Sequence, residues 1–433
     1  MDSLVLIVLP LTFTLLLALG VPVSYSIALS AFASLLVLFP APVAASILSQ
    51  KMITALDSFG LLAIPFFILA GNLMNRGGIA RRMIELAKIV GGRLPGALAH
   101  VNVIANIIFG SISGSAVSSV AAVGGIMAPV QKREGMDPHF SAAVNIASCP
   151  AGLLIPPSGA LILFSLISGG TSVAALFVAG YLPGFLWGLG IMVIAGIVSL
   201  RAGYPRAEGF ATREMLMKAL DALPGLCLVI VVIGGIIAGI FTATEASAVA
   251  VVYSLVLGFA YRELKVSELP DVILGSVVTT SIVLLLVGSS LAMSWTMAAA
   301  DIPALITAAL TTVTENRIVL ILILNVILLL VGTFMDLTPA LLILTPILLP
   351  VSEDLGLHPV HFGIMMVANL CVGICTPPVG SALFIGSSVA GVQIGGVVKH
   401  MLPMYGALVI VLLLVSFVPE ISLFLPRALG LLE

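Results

Sequence analysis

Charge is what this chain lacks. Only 8% of its 433 residues are Asp, Glu, Lys or Arg, and the net charge is −2. Soluble proteins carry about a quarter charged residues, so the bilayer is this chain's main solvent. The few basic residues are scattered in short loops, which excludes a nucleic-acid surface. Histidine is scarce too. His100, His139, His358, His361 and His400 form no His-Glu-x-x-His pattern and join no cluster of acids, so no catalytic centre of a membrane enzyme is legible. Of the four cysteines, Cys371 and Cys375 would share a helix face, but no His or acid joins them; Cys149, Cys227 and this pair read as small buried hydrophobes. A basic leader is absent as well: the run Leu4–Leu19 follows Asp2 and reads as a retained first span.

What the chain has is apolar length, with 61% hydrophobic residues and a mean hydropathy of +1.28. A crossing helix needs about 20 apolar residues. Ten stretches suit it: 3–20, 22–40, 55–75, 140–171, 178–200, 222–243, 246–261, 271–298, 360–390 and 402–425. With the Arg76–Arg93 loop in the cytoplasm, ten crossings leave only Lys51, Arg317 and Arg427 outside. The other 14 of the 17 Lys and Arg (17−3), Arg93 and Arg206 among them, then face the cytoplasm, a strong positive-inside bias. Segments 97–130 and 318–350 are too long for one span and barely long enough for two. Their flanking charges put both ends of the first inside and both ends of the second outside. Two short spans satisfy this equally, but glycine and serine in mid-run fit the tip of a re-entrant hairpin.

A proline and glycine pattern recurs 221 residues on. Pro129 returns as Pro350 (350−129=221), Gly135 as Gly356, Pro138 as Pro359, Pro156-Pro157 as Pro377-Pro378, and Gly159 as Gly380. Each copy opens with a broken apolar run, Gly110–Ala116 and Gly332–Thr338. Five crossings and one hairpin per copy turn the second copy upside down, an inverted repeat of the kind secondary transporters use. Paired prolines remove backbone donors, so carbonyls before them need another positive partner, and a cation such as Na⁺ serves. Half-helix N-termini at the breaks and tips would attract an anion, with Ser113, Ser115, Ser158 and Thr338 adding hydroxyls. Asp336 is the one acid placed deep in the membrane. It reads either as a functional group or as the cap of the helix near Pro339. Asp57, Asp221, Glu245 and Asp301 read as caps or loop residues, Asn72, Asn145 and Asn369 as members of polar networks, and Trp187 and Trp295 as packing or interface residues.

The run Pro65-Phe66-Phe67-Ile68-Leu69-Ala70-Gly71, then Gly110–Ala116, then Ile155-Pro156-Pro157-Ser158, resembles the large membrane subunit of tripartite ATP-independent periplasmic (TRAP) transporters over essentially the whole chain. The resemblance implies an all-α polytopic protein of the bacterial inner membrane with an elevator-type ion-transporter fold. Residues 1–200 would be the first repeat: scaffold helices 1–75, interfacial helix 77–92, hairpin 97–130, broken helix 140–171 and helix 178–200. A cytoplasmic linker 201–221 follows. Residues 222–425 would be the second repeat: scaffold 222–298, interfacial segment 301–316, hairpin 318–350, broken helix 360–390 and helix 402–425. The resemblance further implies Na⁺-driven import of an organic acid such as a C4-dicarboxylate, sialic acid or another sugar acid. At least two Na⁺ ions would bind, one at Gly110, Ser113, Gly152, Ile155 and Pro156, the other at Gly332, Gly373, Thr376 and Val379. Ser115, Ser158, Asp336 and Thr338 would face substrate. The implied partners are a periplasmic binding protein and a separate small four-helix membrane subunit. The alternative is a self-sufficient Na⁺- or H⁺-coupled carboxylate or ion transporter of the same superfamily. A channel would place its symmetry between subunits instead.

Overall fold

The computed structural model describes residues 2–92, 94, 96–204, 212–314 and 316–432. Arg93, Arg206 and the middle of the expected linker 201–221 lie outside the described residues. Regular structure among the described residues is helical. The first half runs α1 (Asp2–Ala18), α2 (Val23–Leu38), α3 (Ala41–Leu56), α4 (Ala63–Arg76), α5 (Ile79–Gly91), α6 (Ala97–Ser113), α7 (Ala116–Arg133), α8 (Pro138–Ser148), α9 (Ala151–Leu154), α10 (Gly159–Ile167) and α11 (Val173–Ala202). The second runs α12 (Thr212–Ile237), α13 (Ala243–Ala260), α14 (Leu269–Ala299), α15 (Ile302–Val313), α16 (Arg317–Phe334), α17 (Leu337–Asp354), α18 (Pro359–Gly373), α19 (Ser381–Ala390), α20 (Ile394–Phe417) and α21 (Glu420–Ala428).

Local chemistry sets these limits. Ser115, Ser158 and Ser172 cap α7, α10 and α11 with their hydroxyls. Asp137 caps α8 with Pro138 at the first turn, and Thr242 with Glu245 forms a capping box on α13. Gly114 ends α6 in the left-handed region at φ +62°, which frees the chain to reverse into α7.

Among the described residues, eight helices are long and apolar enough to cross a bilayer, and the pair Pro138–Leu154 and Gly159–Ile167, bent by 47°, makes a ninth if it is taken as one span. The difference from the ten expected crossings has local causes. The stretch 3–20 stops at Ala18, before Gly20 at φ +80° and Pro22, leaving 17 residues, and the stretch 22–40 is helical over Val23–Leu38 alone, 16 residues between Pro22 and Pro40. The stretch 360–390 divides into α18 and α19, of 15 and 10 residues. The hairpin limbs α16 and α17 are themselves long enough to count. Helix α3 occupies a stretch left unassigned above. The last long helix starts at Ile394, earlier than 402, and Pro419 separates it from α21.

The two halves exchange helices. Helix α4 packs on α13 and α2 on α14; α10 packs on α17 and α19 on α7. Helix α5 buries Ile79, Met83, Ile84 and Ala87 and ties its charged side to the second half. Arg82 stacks on Tyr261 at 3.6 Å and pairs with Asp221 at 3.1 Å. Arg81 pairs with Glu263, and Glu85 takes Lys88 at 2.5 Å and Lys218 at 3.0 Å. The lipid-facing surface shows on α14, where Leu274, Val278 and Ile282 repeat at four-residue spacing and stay exposed.

Candidate transport site

Each hairpin tip meets a helix break, and glycine makes the meeting close. A Cβ on Gly110 would lie 2.8 Å from Gly152 Cα, and one on Gly152 would fall on the Gly110 backbone itself. The second half repeats the contact one period on: a Cβ on Gly373 would lie 2.6 Å from Gly332 Cα. The recurrence follows the 221-residue period to within one residue, 332−110=222 and 373−152=221. Only glycine lets two backbones approach so closely. The structure thus joins four of the expected ion ligands into two pairs. Both proline pairs, Pro156-Pro157 and Pro377-Pro378, are cis.

The second break departs from the bare-carbonyl expectation. Thr376 Oγ1 donates to Val372 O at 2.7 Å, Thr376 N–H to Gly373 O at 2.9 Å, and Ala382 N–H to Ile374 O at 3.1 Å. Tyr405 Oη donates to Cys375 O at 2.7 Å, a partner the sequence reading missed. Val379 N–H reaches across to Thr333 O of the hairpin at 3.2 Å. The Thr376 hydroxyl spends its proton inside the helix, so its oxygen lone pair is what remains for a cation. At the first break, Ser113 Oγ lies 3.4 Å from Ser115 O, and Ile155 and Pro156 are buried.

Beneath the tips lies a cavity of about 410 Å³ between α4, α14, both hairpins and the first break. Ser113, Ser115, Thr338 and Asp336 line it, with Asn72 and Thr279 from α4 and α14 and an apolar wall that includes Phe67 and Leu163. Ser158 stays out of it, fully buried as the cap of α10. Asp336 occupies the N-cap position of α17 but makes no side-chain cap bond. It accepts instead from Ser381 Oγ, at 2.9 Å, at the start of α19. A second cavity of about 310 Å³ adjoins the first, sharing Asn72 and Thr279 and adding Asn75, Arg76, Asp271 and Gly275.

Buried amides brace both hairpins. Asn106 Nδ2 donates to Asn145 Oδ1 at 2.9 Å and to Ser148 Oγ at 2.8 Å. Asn369 Nδ2 donates to Asn325 Oδ1 at 2.9 Å, as does Ser416 Oγ at 3.0 Å. Asn145 and Asn369 therefore join networks as expected, and Asn72 bonds Ser276 Oγ at 2.8 Å. Trp187 is fully buried and donates to Ala147 O at 2.9 Å, whereas Lys51 lies 5.1 Å over the Trp295 ring.

Two broken helices, each closed on a hairpin tip around one cavity in a multi-pass helical body, are the parts of a secondary transporter. Residues 11–421 match the family described as Tripartite ATP-independent periplasmic transporter, DctM component, and the chain belongs to that family. It is a multi-pass inner-membrane permease. The chain is 57% identical to the Uncharacterized protein YgiK of Salmonella typhimurium, across 96% of this chain and 95% of that one. It is 36% identical to the Sialic acid TRAP transporter large permease protein SiaM of Vibrio cholerae (94% and 95% covered). With the C4-dicarboxylate TRAP transporter large permease protein DctM of Pseudomonas aeruginosa it shares 37% (92% and 93% covered). In fold it is similar to the Alcanivorax borkumensis YdaH transporter, with a TM-score of 0.61 at 15% identity, covering 85% of this chain and 86% of that one.

Proposed function

We propose that this chain is the Na⁺-coupled translocating subunit of an organic-acid importer, supplied by a periplasmic binding protein and seated with a small membrane subunit. The observation that carries the reading is the doubled glycine contact between tip and break. It keeps backbone and hydroxyl oxygens of Ser113 and Ile155 in one half, and of Thr376 and Val379 in the other, where a cation can gather them. The names of two relatives, a sialic acid and a C4-dicarboxylate permease, support an organic anion as the substrate class. The repeats are residues 1–200 and 222–425, with α6–α7 and α16–α17 as re-entrant hairpins that travel with the broken helices past α4 and α14 in elevator fashion. The adjoining second cavity opens toward the Arg76 end of α4, the cytoplasmic side by positive-inside bias.

The test is uptake of succinate and sialic acid into proteoliposomes holding the chain, its small subunit and the binding protein. An imposed Na⁺ gradient at constant pH should drive uptake, and an H⁺ gradient without Na⁺ should not. Thr376→Ala should raise the Na⁺ concentration for half-maximal uptake. Asp336→Asn should abolish most transport in protein that still purifies normally. Uptake at full rate by this chain alone, from low substrate concentration, favours the self-sufficient carrier.

A further inference from the structure

Among the described residues, the inner cavity has one charged wall residue, Asp336, and no cation. An organic anion held there depends on hydroxyls and helix ends. The adjoining cavity is different. On its α4 side Asn72, Asn75 and Arg76 follow one another at i, i+3 and i+4, one face of the helix, and on its α14 side Asp271, Gly275 and Thr279 follow at i, i+4 and i+8. Asn75, Arg76 and Asp271 are exposed. Neither Arg76 nor Asp271 takes part in an ion pair among the described residues. The doorway between the cavities is Asn72 on one side and Thr279 on the other. Asn72 is fixed there across the helix pair, its Nδ2 donating to Ser276 Oγ and Ser276 Oγ in turn to Val272 O, both at 2.8 Å.

We propose that the outer cavity is a second, transient station for a carboxylate-bearing anion on the release route, with Arg76 as its cationic wall and Asn72 as its inner doorway. This rests on the transport reading above. The guanidinium fork matches a carboxylate with two parallel donors, and it lies where the anion leaves the uncharged donors of the inner cavity. Asp271 on the facing wall keeps the hold weak, so the station hastens departure instead of storing substrate. Because both charges are exposed, the effect is one of rate and steering and falls with salt.

The test reads the potential in the outer cavity without any transport assay. Asn75→Cys is introduced in the full-length chain in nanodiscs, with the half-buried Cys227 replaced by serine. Its modification is timed with an anionic sulfonatoethyl and a cationic trimethylammonioethyl methanethiosulfonate. Adding Arg76→Gln should lower the anionic-to-cationic rate ratio by roughly fivefold, the scale of one exposed charge a few ångströms away. Arg76→Lys should keep the ratio, and Asp271→Asn should raise it. Millimolar succinate or gluconate should slow the anionic reagent when Arg76 is present and not in the Arg76→Gln variant. A ratio unmoved by Arg76→Gln, or no protection by either anion, overturns the station and leaves the transport reading standing. The expected rates in a chain that imports nothing would support the station and sink the transport reading alone.

Discussion

The two helix breaks share a motif and differ in how they are closed. Around the first, every residue from Ala151 to Ser158 is buried. Its cover is α11: a Cβ on Gly180 would collide with Leu154 O, and one on Gly184 would strike the Ile155 side chain. Around the second, Pro377, Pro378 and Val379 are exposed, Val379 at 47%. From α20 it is reached by the Tyr405 hydroxyl. The positions correspond, since 405−221=184. Where one half has a glycine that makes room for the Ile155 side chain, the other has a tyrosine that reaches over. The two halves share the break and not the means of sealing it: the first is covered by close packing of α11, the second by hydrogen bonds that include the Tyr405 hydroxyl and the Val379 N–H to Thr333 O.

The sharpest way to break this comparison is to add a methyl group at each contact. Gly110→Ala puts its Cβ 2.8 Å from Gly152 Cα, backbone that has no flexible end to swing aside. Overpacking of this kind costs about 1–3 kcal/mol or more, and transport should be lost along with several degrees of thermal stability. Gly332→Ala meets Leu370 Cδ2 at 3.2 Å and Gly373 Cα at 3.3 Å; the leucine can yield, and the variant should keep most activity. Equal tolerance at both positions, read by uptake and thermal unfolding, would erase the distinction. Next in size is Tyr405→Phe. It removes one hydrogen bond to Cys375 O and should cost about 1 kcal/mol, with a higher Na⁺ requirement for uptake. An unchanged melting curve would mean that the second break does not need its hydroxyl.

The smallest effect comes from the helices that lead into the hairpins, where α5 is charged and latched and α15 is apolar. Burial alone would raise the Glu85 carboxyl, but hydrogen bonds and charge from Lys88 and Lys218 outweigh it and hold the group below its ordinary 4.5. A lowered carboxylate stabilises the fold above its unfolded value and loses that contribution as pH falls through the folded one. The melting-temperature gap between the parent and Glu85→Gln should therefore be present at pH 7 and close as pH drops below 4.5.

Much of this was legible in the residues and some was not. Helix character, the hairpins and the breaks follow from apolar length, mid-run glycines and paired prolines, because those features act within a few residues of one another. Of the expected substrate-facing residues, Ser115, Thr338 and Asp336 share the cavity, whereas Ser158 turned inward, a capping role its position before Gly159 could have suggested. Helix α3 was missed because Ser46, Ser49, Gln50 and Lys51 interrupt its hydropathy. Tyr405, Ser381 and the α11 glycines were missed for another reason. Each acts on a residue 26 or more positions away (180−154=26), and no periodicity reports a contact at that range. The i, i+4, i+8 spacing of Gly180, Gly184 and Gly188 was the one available sign.

The exchange of helices between halves has a bearing on how the chain is made. Arg82 is synthesised 139 residues before Asp221 and 181 before Glu263 (221−82 and 263−82), and α4 and α2 precede α13 and α14 by a comparable stretch. A growing chain halted after α11 would hold a complete hairpin and a complete break, yet Arg81 and Arg82 of α5 would lack their acidic partners and α4 its packing face. Neither half is a finished domain, so the order of synthesis cannot be the order of completion. The first-made helices are finished by the second-made ones, and the membrane must host an open intermediate until α14 and α19 have left the ribosome.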